Sequence, residues 1–329
     1  MKDIEILTLQ EVKQLIENNK ILSLAGDEKI LSQLPEGKWI AGTTPYIIDK
    51  KNGGIFTRDK IYVEDLTALV KNFKIETYTE DNFDEISENI YENGFTIFII
   101  PAFSEIHEYF ALNNRLIRKL YKNPFVGWIS GFDLNDGNAK AKIFDGRTGE
   151  NFNDKAIAIH VELPENKQAG VNIVNIFKQN KKADEILFPE SGFSAEECLI
   201  NGEKQNFADY IVNNKIDTKI PIVADYSGIQ INVSIKEVNT ENKTVHFYAP
   251  VFENRIYKFA VPVVDYKKEF KIKVPKLYNE IAFSCNCILN YLYGELENKK
   301  ISIGGPVTFG EIAYGLLNQT LVYMTVNDA

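Results

Sequence analysis

Apolar positions recur along the chain with two periods that alternate in short blocks. The first block is helical. Leu9, Val12, Leu15 and Ile16 share one face, and Thr8 with Glu11 three residues on has the form of a capping box. An apolar strand over 21–25 follows, and Gly26-Asp27 opens a second helix that runs to about Leu34. Residues 39–48 read as one strand, which turns at Asn52-Gly53-Gly54 and returns from Ile55. Further strands are predicted over 62–64 and 73–78, then a helix over 84–92 that Asn93-Gly94 ends. Residues 95–100 are apolar throughout but for Thr96, the pattern of a strand buried on both faces. A helix over 104–121 and strands over 125–132, 139–144 and 155–163 complete the first half.

The later pattern is richer in strands. Segments 171–177, 185–188, 219–224, 228–238, 244–250 and 255–264 read as strands at turn-rich intervals, which favours antiparallel pairing. Asn201-Gly202 has the form of a type I′ hairpin turn, and 206–213 reads as a short helix. Residues 266–269 precede a Lys-rich link, and 275–280 lead into the last segment. There a short apolar run ends in small and polar residues (Ala282 to Cys287). A helix with Ile288, Leu289, Leu292 and Leu296 on one face comes next, then a Gly304-Gly305-Pro306 turn, Glu311, and Asn318-Gln319-Thr320 before a final strand. The expected fold is mixed α/β: two linked halves, 1–195 and 196–329, with mixed or largely antiparallel sheets flanked by helices. The division follows the most polar break, 178–184, and no repeat of 20–50 residues is visible.

Composition narrows the function classes. The chain has 329 residues, 44% hydrophobic and 25% charged, enough for a sizeable core. With 37 basic and 46 acidic residues the net charge is −9, which argues against a broad phosphate-binding surface and so against nucleic acid as a partner. Three cysteines make no disulfide framework. The acidic N-terminus lacks the form of a secretory signal, and the longest apolar run is too short to span a bilayer. The expectation is a soluble cytoplasmic protein with no membrane contact.

Candidate chemistry is sparse. His107, His160 and His246 lack the i, i+4 spacing of a metal-binding helix, so no metal and no cofactor is expected. Cys285 and Cys287 are expected on opposite faces of one strand, where they would not chelate one ion. Phosphate loops and nucleophile elbows are missing from the sequence. Asp133 and Asp136 near Gly137 resemble a calcium loop in composition only and read as a turn. Glu311, beside a glycine turn, could meet an amine or hydroxyl, but a surface Glu is the plainer reading.

The order of three passages carries more. F-S-C, a helix, F-G-E-I and N-x-T before a last strand resemble the C-terminal part of the FIST domain family. Glu197–Tyr210 (E-C-L-I-N-G-E-K-Q-N-F-A-D-Y) and W-I-A-G-T-T-P-Y from Trp39 resemble two further passages of it, though Pro45-Tyr46 stands where that family has a small residue. The resemblance implies an intracellular sensory domain for a small ligand, with amino acids the usual suggestion. Its site would comprise Gly42, Thr43 and Thr44 with Cys285, Gly310, Glu311, Asn318 and Thr320. Glu311 would pair with an ammonium, and the Gly42–Thr44 amides would meet a carboxylate. Gly310 and Asn318 read equally well as turn residues. Such domains often sit beside an output module and none is expected here, so a signal would have to be relayed by a separate protein, or the chain would not signal at all. Two other readings stay open: an enzyme using Cys285 as nucleophile on an amide or thioester, and an oligomerising structural protein.

Overall fold

Thr8 begins the first helix as its sequence requires. Its hydroxyl accepts from the Glu11 amide, and the Glu11 carboxylate accepts from the Thr8 amide at 2.8 Å, so two otherwise orphaned donors are satisfied. The computed structural model describes residues 5–226, 228–276 and 281–329. The chain runs β1 (Glu5–Leu7), α1 (Leu9–Glu17), β2 (Leu22–Gly26), α2 (Glu28–Leu31), β3 (Trp39–Thr43), β4 (Tyr46–Asp49), β5 (Gly53–Phe56), β6 (Ile61–Asp65) and β7 (Asn72–Tyr78). Then come α3 (Ile86–Asn89), β8 (Gly94–Pro101), α4 (Glu105–Asn113), β9 (Phe125–Ser130), β10 (Ile143–Asp145), β11 (Glu150–Phe152), β12 (Ala156–Glu162) and β13 (Lys167–Asn175). A middle block holds β14 (Ile186–Leu187), β15 (Gly192–Ala195), β16 (Glu197–Ile200), β17 (Glu203–Asn206), α5 (Phe207–Asn213), β18 (Ile222–Tyr226), β19 (Ile229–Val233), β20 (Ile235–Asn239), β21 (Thr244–Val251) and β22 (Tyr257–Phe259). The last block is α6 (Tyr266–Lys273), β23 (Ile281–Cys287), α7 (Ile288–Tyr293), β24 (Gly305–Thr308), β25 (Glu311–Ala313), β26 (Gly315–Leu317) and β27 (Thr320–Asp328).

These strands form the mixed α/β architecture that the patterning implies. The first sheet has the order β1-β6-β2-β3-β10-β11, with β2 and β3 parallel and the rest antiparallel. The second is β26-β25-β9-β8-β12-β7, with β8 and β9 parallel. The third is β13-β27-β23-β24-β4-β5, with β23 and β24 parallel. Two further sheets, β17-β16-β14-β22-β18-β19 and β15-β21-β20, enclose their own core with α5. A boundary near residue 195 is not where the sheets divide. β23, β24, β25 and β27 complete sheets begun by β4, β9 and β13, while the middle block builds the other two.

The main core lies where the first three sheets meet. Ile40 and Tyr62 from the first, Ile97, Trp128 and Ile159 from the second, and Phe283, Cys285 and Met324 from the third are all buried in one cluster. The strand over 94–101 is buried along its whole length because its faces serve different cores: Phe95, Ile97 and Ile99 face this cluster, and Phe98 and Ile100 belong to the second, where Phe98 meets Phe110 of α4. Residues two apart on a strand share a face, so alternation does not separate the two late thiols; they reach different cores, Cys285 the inter-sheet one and Cys287 the helix-covered one, with Cys287 at the end of β23 as the N-cap of α7.

Several elements differ from the sequence pattern. Residues 39–48 form two strands in different sheets, because Pro45 lacks an amide donor and the chain leaves the first sheet at Thr44. Gly305-Pro306 lies in a strand rather than a turn; there β24 needs no ladder donor from Pro306. The segment from Tyr266 is a helix capped by Asp265, and it buries Phe270. The helices predicted over 27–34, 84–92 and 104–121 are shorter: α2 spans only Glu28–Leu31, Phe83–Glu85 before α3 is a 3-10 turn, and α4 ends at Asn113. Leu292 is half exposed, since α7 ends one residue later. The Asn201-Gly202 hairpin forms, with both residues at positive φ. Of the predicted lead-in 275–280, residues 277–280 lie outside the described residues.

The first two sheets approach closely at Gly42. A methyl group there would lie 2.6 Å from the Trp128 ring and 2.7 Å from the Ile99 side chain. Gly42→Ala should therefore destabilise the fold by about 1–3 kcal/mol in a urea melt, as overpacking does; an unchanged midpoint would mean that the sheets have room to part.

Candidate functional site

The two sets of residues implied by the family resemblance sit in different surroundings. Thr43 and Thr44 leave the carboxyl end of β3 and line a cleft of about 350 Å3. Its other walls come from the start of α2 and its cap (Asp27, Glu28, Lys29), from Arg58, and from the segment after β9 (Gly131 to Lys142). The charged groups there are interleaved. Arg58 Nη2 donates to Asp133 Oδ2 at 2.7 Å, and its Nε lies 3.8 Å from Asp27. Lys142 Nζ donates to Glu28 at 2.6 Å. Hydrogen bonds from Arg58 and the Asn135 amide hold the Asp133 carboxyl below its ordinary range. Lys29 and Lys140 make no ion pair among the described residues.

The backbone donors of this passage are already used. The Thr43 amide donates to the Lys142 carbonyl at 2.9 Å, and the Thr44 amide to the Gly26 carbonyl at 2.9 Å. Gly42 lies in the β3 ladder against Trp128. The expected capture of a carboxylate by the Gly42–Thr44 amides therefore has no free donor. The hydroxyls are likewise structural: Thr43 donates to the Gly131 carbonyl at 2.7 Å and Thr44 to the Val307 carbonyl at 2.6 Å.

Glu311 is fully buried, not on the surface. It opens β25 against Trp128 of β9, and β27 returns past it, so water is excluded on every side. Burial pushes its pKa up to about 8, although hydrogen bonds from Thr320 and Thr308 work in the opposite sense. The Thr320 hydroxyl donates to Oε2 at 2.6 Å and the Thr320 amide to the same oxygen at 3.2 Å. Oε1 lies 3.2 Å from the Thr308 hydroxyl, which donates onward to the Asn286 carbonyl at 3.3 Å. A proton on Oε1 thus has an acceptor ready.

From there a buried polar chain extends outward. Asn290 Nδ2 donates to the Thr320 carbonyl at 2.8 Å and to Asn286 Oδ1 at 2.9 Å. The Tyr266 hydroxyl donates to Asn290 Oδ1 at 2.5 Å. Beside it Asn318 Oδ1 accepts from the Ser234 amide at 2.9 Å, and the Ser234 hydroxyl donates to Gln319 at 2.6 Å. Gly310 packs between Ile129 and Leu316. Cys285 faces the other core, 3.4 Å from the Gly127 carbonyl, with no histidine beside it. The structure thus joins Glu311, Thr320 and Asn318 in one region and leaves Cys285 and Gly310 out of it.

The two sets meet through β24. Val307 accepts the Thr44 hydroxyl, and the next residue, Thr308, bonds to Glu311. A second buried carboxyl, Glu64, stands on the other side of β23, where the Ser284 amide donates to it at 3.0 Å. Burial raises its pKa to about 8 as well. Sequence reasoning passed over Glu64, Arg58, Tyr266, Asn286 and Asn290. The available signal was the presence of polar residues inside apolar runs: Glu64 in I-Y-V-E and Ser284, Asn286 and Asn290 in F-S-C-N-C-I-L-N.

A protein-family model matches residues 7–327, nearly the whole of the fold just described. The chain belongs to DUF6976, a family of unknown function. No curated protein matches it. In this DUF6976 chain no group of three or more His, Cys, Asp or Glu converges on a metal position among the described residues. His160 is fully buried, 2.8 Å from the Tyr78 hydroxyl and 2.9 Å from that of Thr96, and burial lowers its pKa to about 3. No helix among the described residues is long and apolar enough to cross a membrane.

Two outcomes follow from this geometry. Burial pushes the Cys285 thiol well above its ordinary pKa, so alkylation at neutral pH should be slow and should need denaturant. Fast labelling of the folded protein at Cys285 would contradict its burial. The carboxyls predict a pH effect. Glu311 holds a proton in the folded state between its ordinary value near 4.5 and about 8, whereas the unfolded chain has lost it. Its contribution to stability is whole below 4.5 and is lost as pH rises toward 8. Relative to Glu311→Gln, the native protein should weaken between pH 5 and 8 by at most about 1.4 kcal/mol per unit. Urea melts of both at several pH values measure this, and a constant difference would refute it.

Proposed function

We propose that this protein is a binding module for a small polar metabolite of mixed charge, with an amino acid the simplest member of that class. In this reading it acts in the cytoplasm as a FIST-like sensor and passes its signal to a separate protein. The observation that carries the reading is the position and lining of the 350 Å3 cleft. It opens beyond the carboxyl ends of β2 and β3, the one parallel pair of their sheet, and such strand ends are where α/β sheets gather ligands. Lys29 and Lys140 are free to take a carboxylate, and Asp136 stands in the same lining to take an ammonium. Arg58 and Lys142, held by Asp133 and Glu28, give the rim a fixed shape.

Glu311 has a different role here from direct contact. Its oxygens are taken by Thr308 and Thr320, so it supports β24, and β24 in turn holds Thr44 at the cleft wall. Three unpaired buried thiols suit a reducing compartment. The cysteine-hydrolase alternative has no support, since Cys285 lacks a base and its thiol is held protonated by burial.

Calorimetric titration of the purified chain with amino acids, dicarboxylates and amines tests the proposal. Zwitterions should bind, and a hundredfold excess over Kd should stabilise the fold by about 2.7 kcal/mol. Lys140→Ala should weaken binding about tenfold, the loss of one charge-assisted contact, and leave the free protein's melting point unchanged. Absence of binding by any zwitterion, or full affinity in the Lys140 variant, would sink the proposal.

A further inference from the structure

A second and larger cleft, about 540 Å3, shares no lining residue with the one that Thr43 and Thr44 border. It lies between the segment before β18, the start of α6 and the end of α7. Three aromatic rings form its inner wall. Phe177 and Tyr266 meet edge to face at 5.8 Å between centroids, and Tyr266 meets Tyr293 edge to face at 6.2 Å. The Tyr266 hydroxyl is turned inward to Asn290, so that ring presents carbon rather than its polar group to the cleft.

Charge at the rim favours a cation. Asp217, Asp265 and Glu295 stand against Lys219 and Lys267, a net charge of −1. One of those lysines is itself informative. The Lys219 ammonium lies over the Tyr293 ring, 5.5 Å from its centroid. Lys219 is exposed and could extend into water, yet it places its charge on an aromatic face, where the ring quadrupole attracts a cation. The chain's own side chain thus stands in for a bound ammonium.

We propose that this cleft binds an organic cation, an ammonium group on a small apolar body, and that Lys219 covers Tyr293 when the ligand is absent. The rings take the apolar body and the ammonium faces Tyr293, with the acidic rim supplying the counter-charge. Displacing Lys219 is part of binding, so removing its charge tightens binding. The full chain should be titrated calorimetrically with choline and with 3,3-dimethylbutan-1-ol, its uncharged isostere. Choline should bind and the alcohol should not. Lys219→Met should tighten choline binding about tenfold. Tyr293→Leu should abolish it, and Tyr293→Phe, which keeps the ring, should retain it and serve as the control for folding. Absence of choline binding to the Lys219→Met variant, equal binding of the alcohol, or full affinity in Tyr293→Leu overturns the proposal. None of these results depends on the cleft at Thr43, because the two share no residue.

Discussion

A carboxyl group without access to water must keep its proton or gather donors, and the C-terminal third of this protein is arranged around one that does both. Glu311 is completely buried. Moving an isolated charge into such surroundings is prohibitive, so the group is neutralised and both of its oxygens are hydrogen-bonded. That requirement dictates neighbours. Thr308 and Thr320 must stand on either side, and the carbonyls freed near them must find donors. Asn290 supplies these at the Thr320 carbonyl, Thr308 at that of Asn286, and Tyr266 closes the chain. The network is not complete, since Asn286 Nδ2 and Asn318 Nδ2 are buried without a partner among the described residues, but the bonds it does make favour one arrangement, because a shift would strand further polar groups.

The network also explains why β23 carries small side chains. Ser284 serves Glu64 on one side, Asn286 serves the Glu311 region, and Cys285 and Cys287 fill space in two different cores. Larger residues would separate β24 from β23, and β24 is what ties Thr44 to the interior. The cleft wall and the buried carboxyl are thus two ends of one short connection.

Local signals were legible in the sequence where one residue decides one feature. Thr8 and Glu11 fixed a helix start, Asn201-Gly202 a hairpin, and residues 95–100 a buried strand. Long-range pairing was not legible. Gly304-Gly305-Pro306 has the local chemistry of a turn, and only the pairing of Gly305 and Pro306 with Ile48 and Ile47, continued by that of Val307 and Thr308 with Asn286 and Cys287, makes a strand from Gly305 on. Glu311 reads as exposed because its burial depends on β27 passing over it, which no window around position 311 contains. The cleft at Thr43 was half visible. Thr43 and Thr44 stood out, but Arg58 reaches them from the β5–β6 connection and Asp133 and Lys142 from the β9–β10 connection, and no spacing announces that meeting.

One pairing bears on how the protein comes to exist in a cell. The long ladder between β13 and β27 joins residues far apart in sequence; Lys167 and Asp328 at its end are separated by 161 positions. A ribosome needs on the order of ten to thirty seconds to add that length. Through that interval β13 has emerged while its partner has not been made, and its backbone offers a ready template to any other nascent strand. Lys167 and Gln168 with Asn172 and Asn175 place polar groups along it, and Gly170 weakens its preference for extended pairing. The half-polar sequence of this strand protects the chain during its synthesis.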